Sequence, residues 1–353
     1  MILKLAIVCA LCILAVVILY FGGVLIYTSM VKINAQPLSD ATAYQGGNNN
    51  IDPSGEFSIM TWNIGYGGLG KEMDHFYEGG SMTRPPEGLG KKYIGGIGDF
   101  IGQKDSVDFV LLQEVDFGSN RSFNRNQAEY LHNILEIYSG SIAINYKSGF
   151  VPFPLLEPMG KVSSGLVTFA SFKALKASRV LSPATYSWPK RLFMMRRCIL
   201  ISHYPVGDSK ELVIINIHNS AYDDADNMRA EELRLIRTIA LDEFSKGNYV
   251  ITGGDWNQNP PGLDLKGTIR YKTHPVRPLE NDYFPSEWKY VFDPKLPTNR
   301  DVNEPFSETT TLTSSLDYFL VSPNIEAIEC KTIDIGFEHS DHLPVIMKFR
   351  IKN

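Results

Sequence analysis

The sequence predicts an α/β domain whose working face lies at strand ends, preceded by an apolar segment of membrane length. Three observations carry this. Short β-type runs recur along the chain and alternate with two stretches of helical spacing, at residues 124–138 and 228–244. Those runs end repeatedly in a carboxamide, carboxylate or imidazole, at Asn63, Glu114, His218, Asp255 with Asn257, and Asp317. Polar groups at strand ends from distant parts of a chain are how a rigid α/β scaffold assembles one site. Lastly, residues 336–348 read GFEHSDHLPVIMK, which sets Asp341 and His342 at the mouth of an apolar run.

Taken in order, residues 5–27 are 23 uncharged positions between Lys4 and Lys32, long enough to cross a hydrocarbon core of about 30 Å. A cleaved signal has an apolar region of only ~7–15 residues ending in small residues. No such site follows, so residues 1–30 are expected to be an uncleaved transmembrane anchor. One lysine on each side gives the positive-inside rule little to count; as in an N-terminal signal anchor, the body is placed on the non-cytoplasmic side. Residues 31–55 shift to Asn, Gln, Ser, Gly and Pro, including GGNNN, and are expected to be a flexible linker because they bury too little apolar surface to fold.

The folded domain is placed at 56–353. FSIMTWN alternates toward Asn63, and a glycine-heavy excursion at 65–90 follows, long for a loop and therefore functional or mobile. A helix is expected over 93–103, a buried strand over 108–116 and an amphipathic helix over 124–138. Strands are expected at 141–146, 165–171, 178–181, 197–204 and 211–218. Asp223, Asp224 and Asp226 precede the next helix and are read as its cap and dipole partners, not as a metal site. After the strand ending in Asp255, a Pro-, Thr- and aromatic-rich excursion runs from 258 to 315; strands close the chain at 316–322, 326–333 and 343–351.

Composition narrows the function. At 353 residues the chain can bury a full core. A formal charge of −5 argues against coating nucleic acid through a broad basic surface. It leaves a nuclease open, because a metal and a few arginines neutralise one phosphate locally. Cys9 and Cys12 lie in the apolar run, so Cys198 and Cys330 are the body's cysteines, and there is no zinc spacing.

The pieces TWNIG, LLQEVD, INIHNS, GGDWN, SLDYFLVS and HSDHLPV occur in that order from about Phe57 to the end. Each alone is weak, but together they resemble the endonuclease/exonuclease/phosphatase superfamily with its deoxyribonuclease I-like fold. The resemblance implies a four-layered α/β sandwich, two mostly antiparallel sheets packed face to face with helices outside. It implies a Mg²⁺ or Mn²⁺ site at Glu114, with Asn63 a neutral partner and Asp341 a third ligand. It further implies that Asp317 orients His342, that Asp255 orients or deprotonates water, and that Asn257 and His218 hydrogen-bond phosphate.

The chemistry suits those residue types independently. Phosphodiester hydrolysis needs charge neutralisation and an aligned water, hard oxygen ligands suit Mg²⁺, and His342 is expected to be the general base or the phosphate-facing partner because an imidazole exchanges protons near neutrality. Taken singly, Glu114 would be read as a strand-end acid in a salt bridge, and each histidine as core or surface; that reading is kept for His75, His132, His203, His274 and His339. Among Arg121, Arg125, Arg196 and Arg197, one is expected to clamp phosphate.

The expected activity is thus a membrane-tethered, Mg²⁺-dependent phosphodiester hydrolase, with nucleic acid the first substrate class. A lipid-headgroup phosphodiesterase or phosphatase is the second, because an anchor would hold the site near a bilayer. A non-catalytic binding module is the third, disfavoured because every motif residue is present. The sequence calls for no obligate protein partner.

Overall fold

Alternation and burial along the β-type runs resolve into two seven-stranded sheets in the computed structural model, which describes residues 1–31, 36–48, 50–103, 107–207, 209–221, 228–264, 271–273 and 276–352. In chain order the elements begin with α1 (Ile2–Met30), β1 (Leu38–Asp40), β2 (Thr42–Tyr44), β3 (Glu56–Asn63), α2 (Glu87–Gly102) and β4 (Phe109–Asp116). Next come α3 (Gln127–Ile134), β5 (Ser139–Val151), β6 (Gly160–Ala170), β7 (Lys176–Leu181), β8 (Cys198–Val206), β9 (Lys210–His218), α4 (Met228–Ser245) and β10 (Tyr249–Asp255). The excursion after β10 holds β11 (Lys272–Thr273), β12 (Lys289–Val291), β13 (Asn299–Arg300) and β14 (Leu312–Ser314); β15 (Asp317–Val321), β16 (Ile325–Thr332) and β17 (Val345–Ile351) complete the chain.

One sheet runs β1-β7-β8-β9-β10-β15-β12 and the other β16-β17-β3-β4-β6-β5-β2, with a small third sheet β11-β14-β13. Within the two large sheets, β9 with β10 and β3 with β4 pair in parallel; the other pairs are antiparallel. Phe57, Ile59, Phe109, Leu111 and Phe349 from one sheet meet Leu212, Ile214, Ile251 and Phe319 from the other. Outside, α2 and α3 cover Met60, Trp62, Val110 and Leu112, and α4 with an aromatic cluster around Trp288 covers Val213, Ile215 and Val250. That is the four-layered sandwich: because both faces of the central strands are covered, β4 and β10 are buried almost throughout.

Several boundaries move for local reasons. Helix α3 starts only at Gln127 because Phe123 and Asn124 take left-handed φ of 59° and 57°, after which Asn126 caps by accepting from the Glu129 N–H. Helix α2 starts at Glu87, directly after Pro86, earlier than its apolar spacing suggests. The acids Asp223, Asp224 and Asp226 lie outside the described residues. Cys198 and Cys330 are both free thiols.

The expected flexible linker at 31–55 needs correction from Leu38 onward. Strand β1 pairs with β7 and β2 with β5, so the stretch extends an edge of each large sheet. Ile51 is fully buried, and its N–H donates to the Pro205 carbonyl at 3.1 Å. Such a composition cannot fold alone, but open sheet edges supply the backbone partners it lacks.

The 65–90 excursion is also packed, with Tyr66, Leu69 and Met73 buried. Arg300, 1% exposed, holds it: its Nη2 donates to the carbonyls of Leu69 at 3.2 Å, Gly70 at 3.0 Å and Met73 at 3.1 Å. Replacing Arg300 with methionine keeps the bulk but strands three buried carbonyls, and is expected to cost about 3–5 kcal/mol. Chemical denaturation, with limited proteolysis of the 65–90 segment, checks this; an unchanged midpoint contradicts it.

Candidate active site

Strand register puts the polar ends together. In the β9–β10–β15 ladder, Asp255 lies opposite His218 on one side and Asp317 on the other, so three strands deliver an imidazole and two carboxylates in one row. Gly254 makes this approach possible, since its φ is 145° and a Cβ there would lie 2.1 Å from the Ile217 carbonyl oxygen. In the facing sheet β3 ends at Asn63, and the β4–β6 register breaks between Leu112 and Val115. Glu114 sits in that break with φ 55°, which turns its side chain out of the ladder and toward the cleft.

His342 arrives on the segment before β17, its carbonyl accepting from Trp62 Nε1 at 2.9 Å. Its Nδ1 lies 2.7 Å from Asp317 Oδ2, which also accepts from Thr298 Oγ1 at 2.6 Å. An Nδ1–H held by a carboxylate leaves Nε2 facing the cleft. There Nε2 lies 3.0 Å from Asn299 Nδ2, 3.5 Å from Asn63 Nδ2 and 3.8 Å from Asp255 Oδ2. His218 Nε2 stands 3.4 Å from Asp255 Oδ2 and 3.9 Å from Glu114 Oε1. All eight anticipated residues except Asp317, which lies behind His342, line one cavity of about 300 Å³.

Burial controls the charges. Desolvation opposes a charge on His342, but Asp317, through its charge and its hydrogen bond, holds the imidazole up at about 10. Desolvation raises Glu114, with Asp341 adding repulsion and Arg121 opposing, and it raises Asp255 as well. His218 falls well below its ordinary value through burial and the nearby charges of Arg197 and His342, so it is neutral with one N–H to give.

Raised values for His342, Glu114 and Asp255 mean that the folded protein binds more protons than the unfolded one. Below about pH 6.5 the depressed His218 and His75 act in the opposite sense to the raised acids, but from about 6.5 until about 10 the His342 contribution makes metal-free stability fall as pH rises. A falling melting temperature across that upper window is expected, flattened in His342→Asn; a melting temperature that rises with pH contradicts this.

The donor set fits a hard divalent cation. Glu114 and Asp341 present carboxylates to a buried cleft where desolvation works against the charge on Glu114, a cost that a bound cation would offset. One detail differs from expectation. Asn63 Oδ1 accepts from the Gly65 N–H at 3.0 Å, whereas its Nδ2 faces Asp255 at 3.1 Å and Glu114 at 3.5 Å. Serving as an oxygen ligand requires the amide to turn over, an assignment fixed by the hydrogen-bond network. Asp255, Asp317 and His342 also cluster within 4.8 Å; the short bond takes up Asp317 Oδ2 and His342 Nδ1, while His342 Nε2 faces the cleft and Asp317 Oδ1 is buried without a partner.

Residues 60–342 match the model of the Endonuclease/Exonuclease/phosphatase family. The chain belongs to this family. Solved structures of similar fold include the endonuclease/exonuclease/phosphatase from Beutenbergia cavernae DSM 12333, at 18% identity and a TM-score of 0.57, covering 84% of this chain and 72% of that one. Another is truncated Caenorhabditis elegans TDP2, at 15% identity and a TM-score of 0.51, covering 84% and 97%. A third is ANGEL2, a 2′,3′-cyclic phosphatase bound to adenosine-2′,3′-vanadate, at 16% identity and a TM-score of 0.53, covering 89% and 99%. No curated protein sequence matches the chain.

Within this family member the four arginine candidates separate. Arg121 lines the cavity but is held by both Asp116 oxygens, at 2.9 and 3.1 Å, and stacks on Tyr66. Arg125 pairs with Glu87 and Arg196 lies outside the cavity lining. Arg197 lines the cavity with a buried Nη1 that has no hydrogen-bond partner, so of the four it is the one with a donor left for an anion in the cavity. Asn257 keeps its place, though its Nδ2 donates to the Asn219 carbonyl at 2.8 Å.

Further residues line the cavity without a signal in the sequence. His75, set aside as core or surface, lines the cavity and is pushed down to about 4, chiefly by burial. Tyr66 and Glu78 from the 65–90 excursion, and Asn299 and Arg300 from β13, also face the site. No periodicity marks them, and only their place in the two long excursions singles them out. His132 stacks on Tyr44, His203 pairs with Glu211 and His339 packs against Gly96, all away from the cavity; His274 lies outside the described residues.

Proposed function

We propose that this chain is a membrane-anchored, Mg²⁺-dependent phosphodiesterase. The observation that supports it most is the convergence of Glu114 from one sheet and His218, Asp255 and His342 about the other on a single buried cavity. Glu114, Asp341 and, after turnover of its amide, Asn63 would hold the cation, which neutralises phosphoryl charge as a Lewis acid and is replaceable by Mn²⁺. The anchor reading rests on α1, 29 residues with mean hydropathy 3.1 in its best window and no buried residue within that window. Its side of the membrane is proposed as non-cytoplasmic.

The chain's own groups then divide the work. Asp255, made a better base by burial, orients the attacking water and takes its proton. Neutral His218 donates to a phosphoryl oxygen, as does the amide side of Asn257 once released from Asn219. His342, kept in one tautomer by Asp317, holds charge opposite the phosphoryl group, and Arg197 offers its free Nη1. The water oxygen bonds to phosphorus, one ester P–O bond breaks, and the leaving oxygen takes a proton from the site.

Of the two substrate classes, the cavity favours a lipid headgroup over nucleic acid. Tyr77, Tyr146, Tyr186, Met159, Met194 and Met195 form an apolar side, suited to the organic part of an ester. Arg121 is committed to Asp116 and Arg300 donates through Nη2 to backbone carbonyls, so among the described residues Arg197 is the main cation left to the cavity, less than the basic track a polynucleotide calls for. The full chain in detergent micelles, incubated with plasmid DNA, RNA, sphingomyelin and inositol phosphates with and without chelator, tests this. Chelator-sensitive release from the lipid is expected; cleavage of DNA or RNA alone would restore the nuclease reading.

A further inference from the structure

We infer that the catalytic domain is seated on the bilayer by a fixed face, built from the β5–β6 connection and the segment before β8, with the active-site cavity opening beside the headgroup layer. This rests on α1 spanning the bilayer and on the phosphodiesterase reading, and it adds how the two are joined.

Among the described residues, α1 is buried only toward its C-terminal end, at Val24 and Thr28. Thr28 is fully buried, and its Oγ1 donates to the Phe150 carbonyl at 3.3 Å. Gly149 lies so close that a Cβ there would stand 2.9 Å from Val31 Cγ2 and 3.1 Å from the Tyr27 ring. Farther along, the Phe153 ring sits 6.5 Å from the Phe21 ring. Seven helical residues separate Thr28 from Phe21, about 10 Å of rise. The β5–β6 connection therefore runs along the helix toward the membrane, and Phe21 lies inside the apolar stretch that ends at Tyr27. A side chain against Phe21 is at least at headgroup depth if that stretch crosses the bilayer.

The residues flanking that contact suit the depth. Phe153 is 48% exposed, Leu155 61%, Leu156 102% and Trp188 58%. Large apolar side chains this open, gathered on two connections beside a membrane-length helix, mark an interfacial surface. Trp188 precedes the turn Lys190–Leu192, which also lies against α1 and brings Lys190 and Arg191 to the rim. A tryptophan with neighbouring cations is the composition of a membrane-interface belt. The same two segments carry Met159, Tyr186, Met194 and Met195 into the catalytic cavity. One pair of connections thus faces the lipid on one side and walls the site on the other.

Trp188 reports on this directly, because Trp62 and Trp256 have no exposed surface, Trp288 has 5%, and α1 contains no tryptophan. The full chain is reconstituted into phosphatidylcholine vesicles carrying bromine near the top of the acyl chains. Quenching of part of the tryptophan emission is expected, and Trp188→Phe should remove that part. Replacing Leu155 and Leu156 together by aspartate should lower turnover of a vesicle-borne phosphodiester about ten-fold while leaving hydrolysis of soluble bis(4-nitrophenyl) phosphate unchanged. Chain that floats with the vesicles and hydrolyses the soluble ester, yet shows no Trp188 quenching, overturns the seated face alone. So does a detergent-solubilised dimer that shields Trp188, since the rim would then meet a second copy. Chain that does not float removes the anchor reading, and chain inert toward the soluble ester removes the phosphodiesterase reading.

Discussion

Glu114→Gln is expected to leave a folded protein whose phosphodiester turnover falls by about 10³-fold or more, the scale of losing a group that stabilises transition-state charge. Glutamine fills the same volume and removes one negative charge from the cleft; the burial cost of that charge, which outweighs its attraction to Arg121, is thereby lifted, and this favours the metal-free fold. Stability and activity should move in opposite directions. Thermal unfolding without metal should show an equal or higher melting temperature. The gain that millimolar Mg²⁺ gives the unsubstituted protein, about 2.7 kcal/mol at a hundred times the dissociation constant, should largely vanish. A variant that keeps both its rate and its Mg²⁺ stabilisation would remove Glu114 from the metal site.

Asp317→Asn carries the second large effect, a loss of about 10²–10⁴-fold with little change in substrate affinity. The carboxylate never faces the cleft; its Oδ2 holds His342 Nδ1 at 2.7 Å and is itself held by Thr298. An asparagine amide in that place can present a donor to Nδ1, which moves the imidazole proton to Nε2 and changes the group that faces the phosphoryl oxygens. With Asp317 neutral, its upward pull on His342 is lost, so the titration of that imidazole shifts down from about 10. Rates measured against pH, together with imidazole proton resonances in the two proteins, separate this positioning role from simple loss of structure. An unchanged His342 titration would contradict it.

Much of the site was legible because strand ends are read by the same rule everywhere: an apolar run stops at a polar residue, and the sheet decides which ends meet. Asn63, Glu114, His218, Asp255, Asp317, Asp341 and His342 all stop or flank such runs. What the sequence cannot show is register, and register is what sets Asp255 opposite both His218 and Asp317. Residues 38–55 depart from what their composition suggests because composition reports whether a segment can fold alone, not whether two sheet edges await it. Arg300, Asn299 and His75 stayed hidden for another reason: they sit in irregular backbone, where no period marks an inward side chain, and tertiary contacts alone bury Arg300 under the 65–90 segment.

The central claim is that groups from both sheets form one metal-dependent phosphodiesterase centre. Its most direct test is the rate of bis(4-nitrophenyl) phosphate hydrolysis by the full chain in detergent, stripped with chelator and then titrated with Mg²⁺, beside Asp255→Asn. A rate that disappears on stripping, returns on titration and stays absent in the variant is the expected result. Undiminished hydrolysis in chelator, or a variant as fast as the parent, would contradict it.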